Sequence, residues 1–87
     1  MAHIGTVTPS SGRHGSDIIV RIVGDGFHQV HYCNFGPGTG VGQITVIEDG
    51  IMDVEVIISK NAQRGLRDVI VKAANGNDLK QGGFEIT

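Results

Sequence analysis

The sequence predicts an all-β domain whose strands pack as a two-sheet sandwich. Apolar and polar residues alternate along several short segments, which is the pattern of strands with one buried face. Fourteen glycines punctuate the chain, many of them between these segments, where they mark turns. No segment has a helical hydrophobic period over ten residues. Together these three observations indicate about seven antiparallel strands in two sheets.

Length and composition limit the chain to a single small domain, residues 1–87. With 39% hydrophobic residues it can bury one thin core. The net charge is −2 and the seven basic residues are dispersed, so nucleic acid is an unfavoured partner, because phosphate binding needs a concentrated positive surface. One cysteine excludes an internal disulfide, and no apolar run is long enough for membrane insertion. We expect no signal peptide in this chain, and residues 1–3 are candidates for an expression remnant.

The N-terminal third of the chain has the clearest strand pattern. Pro9 ends the first strand because proline lacks the N–H that a sheet ladder needs, and a corner of serine and glycine follows. The second strand alternates, with Ile18, Val20 and Ile22 on its inner face. A Gly-Asp-Gly break ends this strand, and we expect Phe27 to fold back as a plug over one end of the core.

The later segments complete the predicted sandwich. If Phe35 points into the core, the period of two directs Cys33 and His31 inward as well. We expect Gly36–Gly42 to be a flexible connector, and the Asn75–Gly76 pair predicts a hairpin turn, since both residues tolerate positive φ. The predicted strands are Ile4–Thr8, Asp17–Val23, Val30–Phe35, Gln43–Ile47, Met52–Ser59, Leu66–Ala74 and Gly83–Thr87. The predicted core residues are Ile18, Val20, Val54, Val56, Val69 and Val71.

A family pattern is visible once the strands are assigned. Its residues are Ile4, Val7, Pro9, Gly12, Gly15, Ile18, Val20, Gly24, Gly26 and Phe27, followed by Phe35, Gly36, Ala62, Gly65, Asp68, Val69, Val71, Gly83 and Phe84. In this order and spacing, the chain resembles the IPT/TIG domains, which are immunoglobulin-like β-sandwiches shared by plexins and transcription factors. Cys33 and His31 depart from the family's usual aliphatics, and the Gly36–Gly42 connector is unusually rich in glycine.

The resemblance implies a non-catalytic module of a larger protein. Such modules occur in bacterial surface and secreted proteins, in receptors, in Rel-type transcription factors and beside the catalytic domain of polysaccharide-acting enzymes. We therefore expect a spacer or protein-protein interaction domain of a cell-surface or secreted microbial protein, with neighbouring domains, another protein or a weak homodimer as partners. The alternative is a carbohydrate-associated accessory domain, for which Tyr32 is the one aromatic ring expected to face outward.

An outward-facing apolar set is the candidate interaction face. Ile19 and Val23 on the second predicted strand and Ile57 on the fifth are expected to form an apolar strip on one sheet. Arg21 and Glu55 interrupt this strip. Rel-type proteins dimerise through the corresponding sheet, whereas the simpler interpretation is that scattered surface aliphatics are normal.

Other candidate sites have weaker patterns. The glycine-rich connector lacks the Gly-Lys-Ser/Thr ending of a phosphate loop and precedes a strand instead of a helix. His28, His31 and Cys33 have side chains that bind zinc, but no second ligand pair follows, so we expect a buried structural Cys33 and a rim His31. The acidic turns Glu48–Asp49 and Asn75–Asp78 do not have the spacing of a calcium loop. The sequence therefore predicts no catalytic residue, no metal and no cofactor.

Overall fold

The computed structural model describes residues 2–87, which form two four-stranded sheets. The strands are β1 (His3–Thr8), β2 (Ser11–Gly12), β3 (Asp17–Asp25), β4 (Val30–Asn34), β5 (Thr39–Glu48), β6 (Ile51–Ile58), β7 (Gly65–Ala73) and β8 (Gly76–Ile86). The first sheet has the order β1-β3-β6-β5 and the second the order β2-β8-β7-β4. The predicted all-β class with two sheets is confirmed. Met1 lies outside the described residues, whereas Ala2 is buried and His3 begins β1.

The core lies between the two sheets and is apolar throughout. Five of the six predicted core residues are fully buried, and Ile18 is half-buried against them. The rings of Phe35 and Phe84 meet edge to face, with centroids 5.3 Å apart and an interplanar angle of 79°. Within residues 2–87, no buried side chain is polar or charged. The sandwich is therefore stabilised by apolar packing between the sheets.

Most strand bounds differ from the prediction by one or two residues, and three differences are larger. Eight strands are present instead of about seven, because the predicted corner contains the two-residue strand β2. The prediction of a flexible connector over Gly36–Gly42 is wrong from Thr39 onward. β5 begins at Thr39, and Val41 packs against the core opposite Val56. The predicted hairpin is present, but Ala73 pairs with Gly76, so its turn lies one residue earlier, and β8 starts before the predicted last strand.

Phe27 closes one end of the core, as predicted. It begins a single 3-10 turn, Phe27–Gln29, directly after Gly26, whose φ of 74° is left-handed. The Phe27 side chain is fully buried, and its backbone N–H donates to the carbonyl of Asp49 at 2.8 Å. Glycine suits position 26 because side-chain-bearing residues rarely adopt this conformation.

His31 does not point inward, and that part of the prediction is wrong. The pairing of β4 with β7 shifts register between Val30 and Tyr32, so one extra residue, His31, interrupts the alternation. His31 is exposed as a result, whereas Cys33 and Phe35 are buried as expected. A bulge depends on the pairing of two strands, and the period of one strand does not reveal it.

The first and last segments of the chain run in the same direction. β2 pairs in parallel with the end of β8, with Ser11 opposite Glu85 and Gly12 opposite Ile86. At the other end of the molecule, the N–H of Ile4 donates to the carboxylate of Asp78 near the start of β8 at 2.7 Å. The two ends of the described chain therefore lie at opposite ends of the sandwich, whose longest dimension is 33 Å.

Candidate interaction faces

The three residues of the predicted interaction face lie on the outside of the first sheet. Ile19, Val23 and Ile57 are 58%, 40% and 47% exposed. In the pairing of β3 with β6, Ile19 lies opposite Glu55, and Ile57 lies two residues further along β6. Residues in this diagonal relation are within reach of each other on one face of a sheet. Ile19 and Ile57 thus form one apolar spot.

Val23 belongs to a second, separate spot on the same face. It lies opposite Ile51 and is four residues from Ile19 along the strand, a distance of roughly 13 Å. On its other side, Val23 pairs with Thr6 of β1. The predicted strip is therefore two small apolar spots on the outer face of the first sheet.

An ion pair lies between the two spots. Arg21 is directly opposite Asp53, and its Nε and Nη2 atoms donate to the two carboxylate oxygens at 2.8 and 3.1 Å. The hydrogen bond from Arg21 lowers the pKa of Asp53, and the same bond raises the pKa of Arg21. Because the pair is exposed, it adds little stability. The pair does, however, hold two charged groups in the middle of the predicted face, where they separate the two apolar spots.

The outer face of the second sheet carries two separate exposed apolar spots, at Leu66 and at Leu79, that the sequence pattern does not single out. Leu66 and Leu79 are 71% and 51% exposed, and Leu79 lies directly opposite Ile70. The alternation Leu66, Asp68, Ile70 was available in the sequence as a signal. Leu79 was missed because it was assigned to the segment between strands.

Tyr32 points outward on the same face, as expected for the carbohydrate alternative. The ammonium of Lys72 lies over its ring, 5.3 Å from the centroid, in a cation–π contact. The side-chain amide of Asn34 donates to the Tyr32 hydroxyl at 2.6 Å. Lys72 thus occupies one face of the ring that a sugar would stack on, which leaves this alternative without specific support.

A groove of about 250 Å³ separates the edges of β4 and β5. It is lined by His31, Tyr32, Cys33, Asn34, Thr39, Val41, Gly42 and Ile44. Burial raises the pKa of the Cys33 thiol to about 12. The thiol is therefore neutral near pH 7, and a neutral thiol is a poor nucleophile and a poor metal ligand.

Aspartates of the two acidic turns accept hydrogen bonds from backbone N–H groups of other segments. The carboxylate of Asp49 accepts the N–H of Gly26 at 3.3 Å, beside the turn that carries Phe27. The carboxylate of Asp78 accepts the N–H of Ile4, and this hydrogen bond lowers the pKa of Asp78. Across residues 2–87, no three histidine, cysteine, aspartate or glutamate side chains group as a metal site would require.

Comparison with family models finds no match, and no curated protein is significantly similar to the chain. In the described part of the chain, no helix has the length and apolar character needed to cross a bilayer. The structural features that bear on function are therefore the exposed outer faces of the two sheets, the groove between β4 and β5, and the chain ends, which lie far apart.

Proposed function

We propose that this chain is a non-catalytic, immunoglobulin-like module of the IPT/TIG type within a larger cell-surface or secreted protein. In an immunoglobulin-type sandwich, strands A, B, E and D form one sheet and strands G, F and C the other. Here β1, β3, β6 and β5 occupy the positions of A, B, E and D, and β8, β7 and β4 those of G, F and C. The strand order therefore supports the proposal.

The position of the chain ends is the observation that favours a spacer. The chain enters beside Asp78, near the start of β8, and leaves beside Gly12, at the end of β8. Domains attached before and after the module would be held apart by its 33 Å long axis. A module with adjacent ends would instead bring its neighbours together.

Two copies joined end to end provide the test of the spacer role. We expect small-angle X-ray scattering to show an elongated particle, roughly twice as long as the 33 Å axis of one copy. The single copy, measured under the same conditions, is the control. A tandem pair whose longest dimension is close to that of a single copy would contradict the spacer role.

The outer face of the first sheet is the proposed contact surface for a neighbouring domain, another protein or a second copy. Ile19 and Ile57 are its largest apolar spot, since they are both exposed and adjacent. We expect replacement of both by Lys to weaken self-association at least tenfold, which corresponds to about 1.4 kcal/mol. Light scattering across a concentration series measures this change.

The second sheet offers a matched control for this experiment. Leu66→Lys with Leu79→Lys adds the same charge on the other face, at positions that are at least as exposed as Ile19 and Ile57. We expect this double variant to self-associate as strongly as the wild type. Equal association of both double variants, or a wild type that stays monomeric and binds no neighbouring domain, would remove the contact role from the first sheet.

A further inference from the structure

The two sheets leave their core incompletely covered on the side where β5 lies over β4. β5 is the last strand of the first sheet and β4 the last strand of the second, so each pairs with another strand on one side only. The half-buried side chains of Val41 and Ile44 pack against the core and line the groove between these strands, together with the buried Cys33. The groove is therefore apolar where it meets the core.

The free edge of β5 presents backbone groups that no other strand uses. The N–H of Ser59 donates to the carbonyl of Gly38 at 2.9 Å, and facing residues of an antiparallel pair alternate between hydrogen-bonded and non-hydrogen-bonded pairs. Three residues along from Gly38, Val41 faces Val56 in a pair that exchanges no hydrogen bonds. The N–H and C=O groups of Val41 therefore point away from β6, at the open edge of the sheet.

Ile44 repeats this arrangement beyond a bulge in β5. It faces Val54, which lies two residues from Val56 on β6 and so has the same orientation. Within residues 2–87, none of the backbone hydrogen bonds made outside the strand pairs involves Val41 or Ile44. Two residues of one edge thus combine free backbone donors and acceptors with side chains that face the groove.

The composition of this edge favours a β-strand as its occupant. Exposed edge strands are usually protected from further pairing by charged residues or proline. β5 contains neither between Thr39 and Ile47. An extended polypeptide has N–H and C=O groups at the spacing that such an edge requires, and its alternate side chains can enter an adjoining groove.

We propose that the β5 edge binds an extended segment of another polypeptide, which joins the first sheet as an additional antiparallel strand. All strand pairs of this sheet are antiparallel, and directly opposed residues of such a pair point to the same face. The residues that bond to Val41 and Ile44 therefore also face the groove. Their side chains are small and apolar, because the groove has a volume of about 250 Å³.

A peptide with valine and threonine at alternate positions, flanked by lysine for solubility, is the probe. When it binds the full chain, we expect hydrogen exchange at the N–H groups of Val41 and Ile44, followed by NMR, to slow by about tenfold or more. Methylation of the valine nitrogens of the peptide should abolish this effect, because these nitrogens face β5. Methylation of the threonine nitrogens, which point away from β5, is the matched control and should preserve it.

Val41→Pro provides a second arm of the test. It removes an N–H that makes no bond to β6, and edge strands tolerate proline at such positions, so circular dichroism should show a retained fold. Val41→Ala keeps the N–H and is the control for loss of the side chain. We expect Val41→Pro to weaken peptide binding by about tenfold more than Val41→Ala does, as measured by titration.

Three results would overturn the proposal: no binding at about 1 mM peptide, equal effects of the two methylated peptides, or equal binding by the two Val41 variants. Slowed exchange at Val41 and Ile44 on raising the concentration of the chain alone would assign the edge to a second copy and would overturn it as well. None of these results bears on Ile19 and Ile57, whose role is tested by the separate lysine variants.

Discussion

Phe84→Ala is expected to remove much of the stability of the domain. The Phe84 side chain is fully buried, and its ring packs edge to face against Phe35 between the sheets. Truncating a buried phenylalanine costs about 3–5 kcal/mol, because the transfer free energy is lost and a cavity remains. A chain of this length has a free energy of unfolding of roughly 4–13 kcal/mol in total. We expect the midpoint of urea unfolding, followed by circular dichroism, to fall by roughly 2–4 M.

Leu79→Ala is the control for this change. Leu79 lies on the same strand as Phe84 but is 51% exposed on the outer face. Its truncation is expected to change the free energy of unfolding by about 0.5 kcal/mol or less. If both variants shifted the urea midpoint equally, Phe84 would not fill the space between the sheets.

Gly24→Ala is expected to displace β1 from the first sheet. A Cβ atom at position 24 would lie 1.9 Å from the carbonyl oxygen of His3, 3.0 Å from the backbone nitrogen of Gly5 and 2.9 Å from Phe27 Cζ. Two of these three atoms belong to the backbone of the paired strand, so no side-chain rotation relieves the clash. We expect a loss of about 2–3 kcal/mol in the free energy of unfolding, near the upper end for overpacking. Hydrogen exchange should show the loss of protection in β1.

Gly40→Ala tests whether that loss comes from the close approach of β1. Gly40 lies within β5, and a Cβ atom there would have no neighbour within 4 Å. Alanine also restricts the unfolded chain more than glycine does, so Gly40→Ala should be neutral or stabilising by up to about 1 kcal/mol. A similar loss in both variants would show that strand glycines matter here for another reason.

The fold class was predictable because it depends on local periodicity. The alternation around Val20, Val54 and Val71 identified residues that are fully buried in the structure. The break after the second predicted strand likewise identified Phe27 as the plug of the core. Such signals need only the period of two and the chemistry of turns, both of which are written in adjacent residues.

The candidate faces were predictable only in part. Exposure of Ile19, Val23 and Ile57 followed from alternation, but their division into two spots follows from the register of β3 against β6. The pairing of Arg21 with Asp53 depends on the same register. Alternation alone assigns Arg21 and Glu55 to this face, but it does not identify the carboxylate that Arg21 contacts.

The sequence by itself determined most of the buried side chains, where most strands lie and that the strands belong to two sheets. Only the tertiary structure decided that His31 bulges outward, that Thr39–Gly42 continues a strand and that β2 joins β8 in parallel. The physical reason is the range of the interactions involved. Burial and turns are encoded over a few neighbouring residues, whereas strand pairing and bulges join segments that are distant in the sequence, such as His14 and Thr87, which are 73 residues apart.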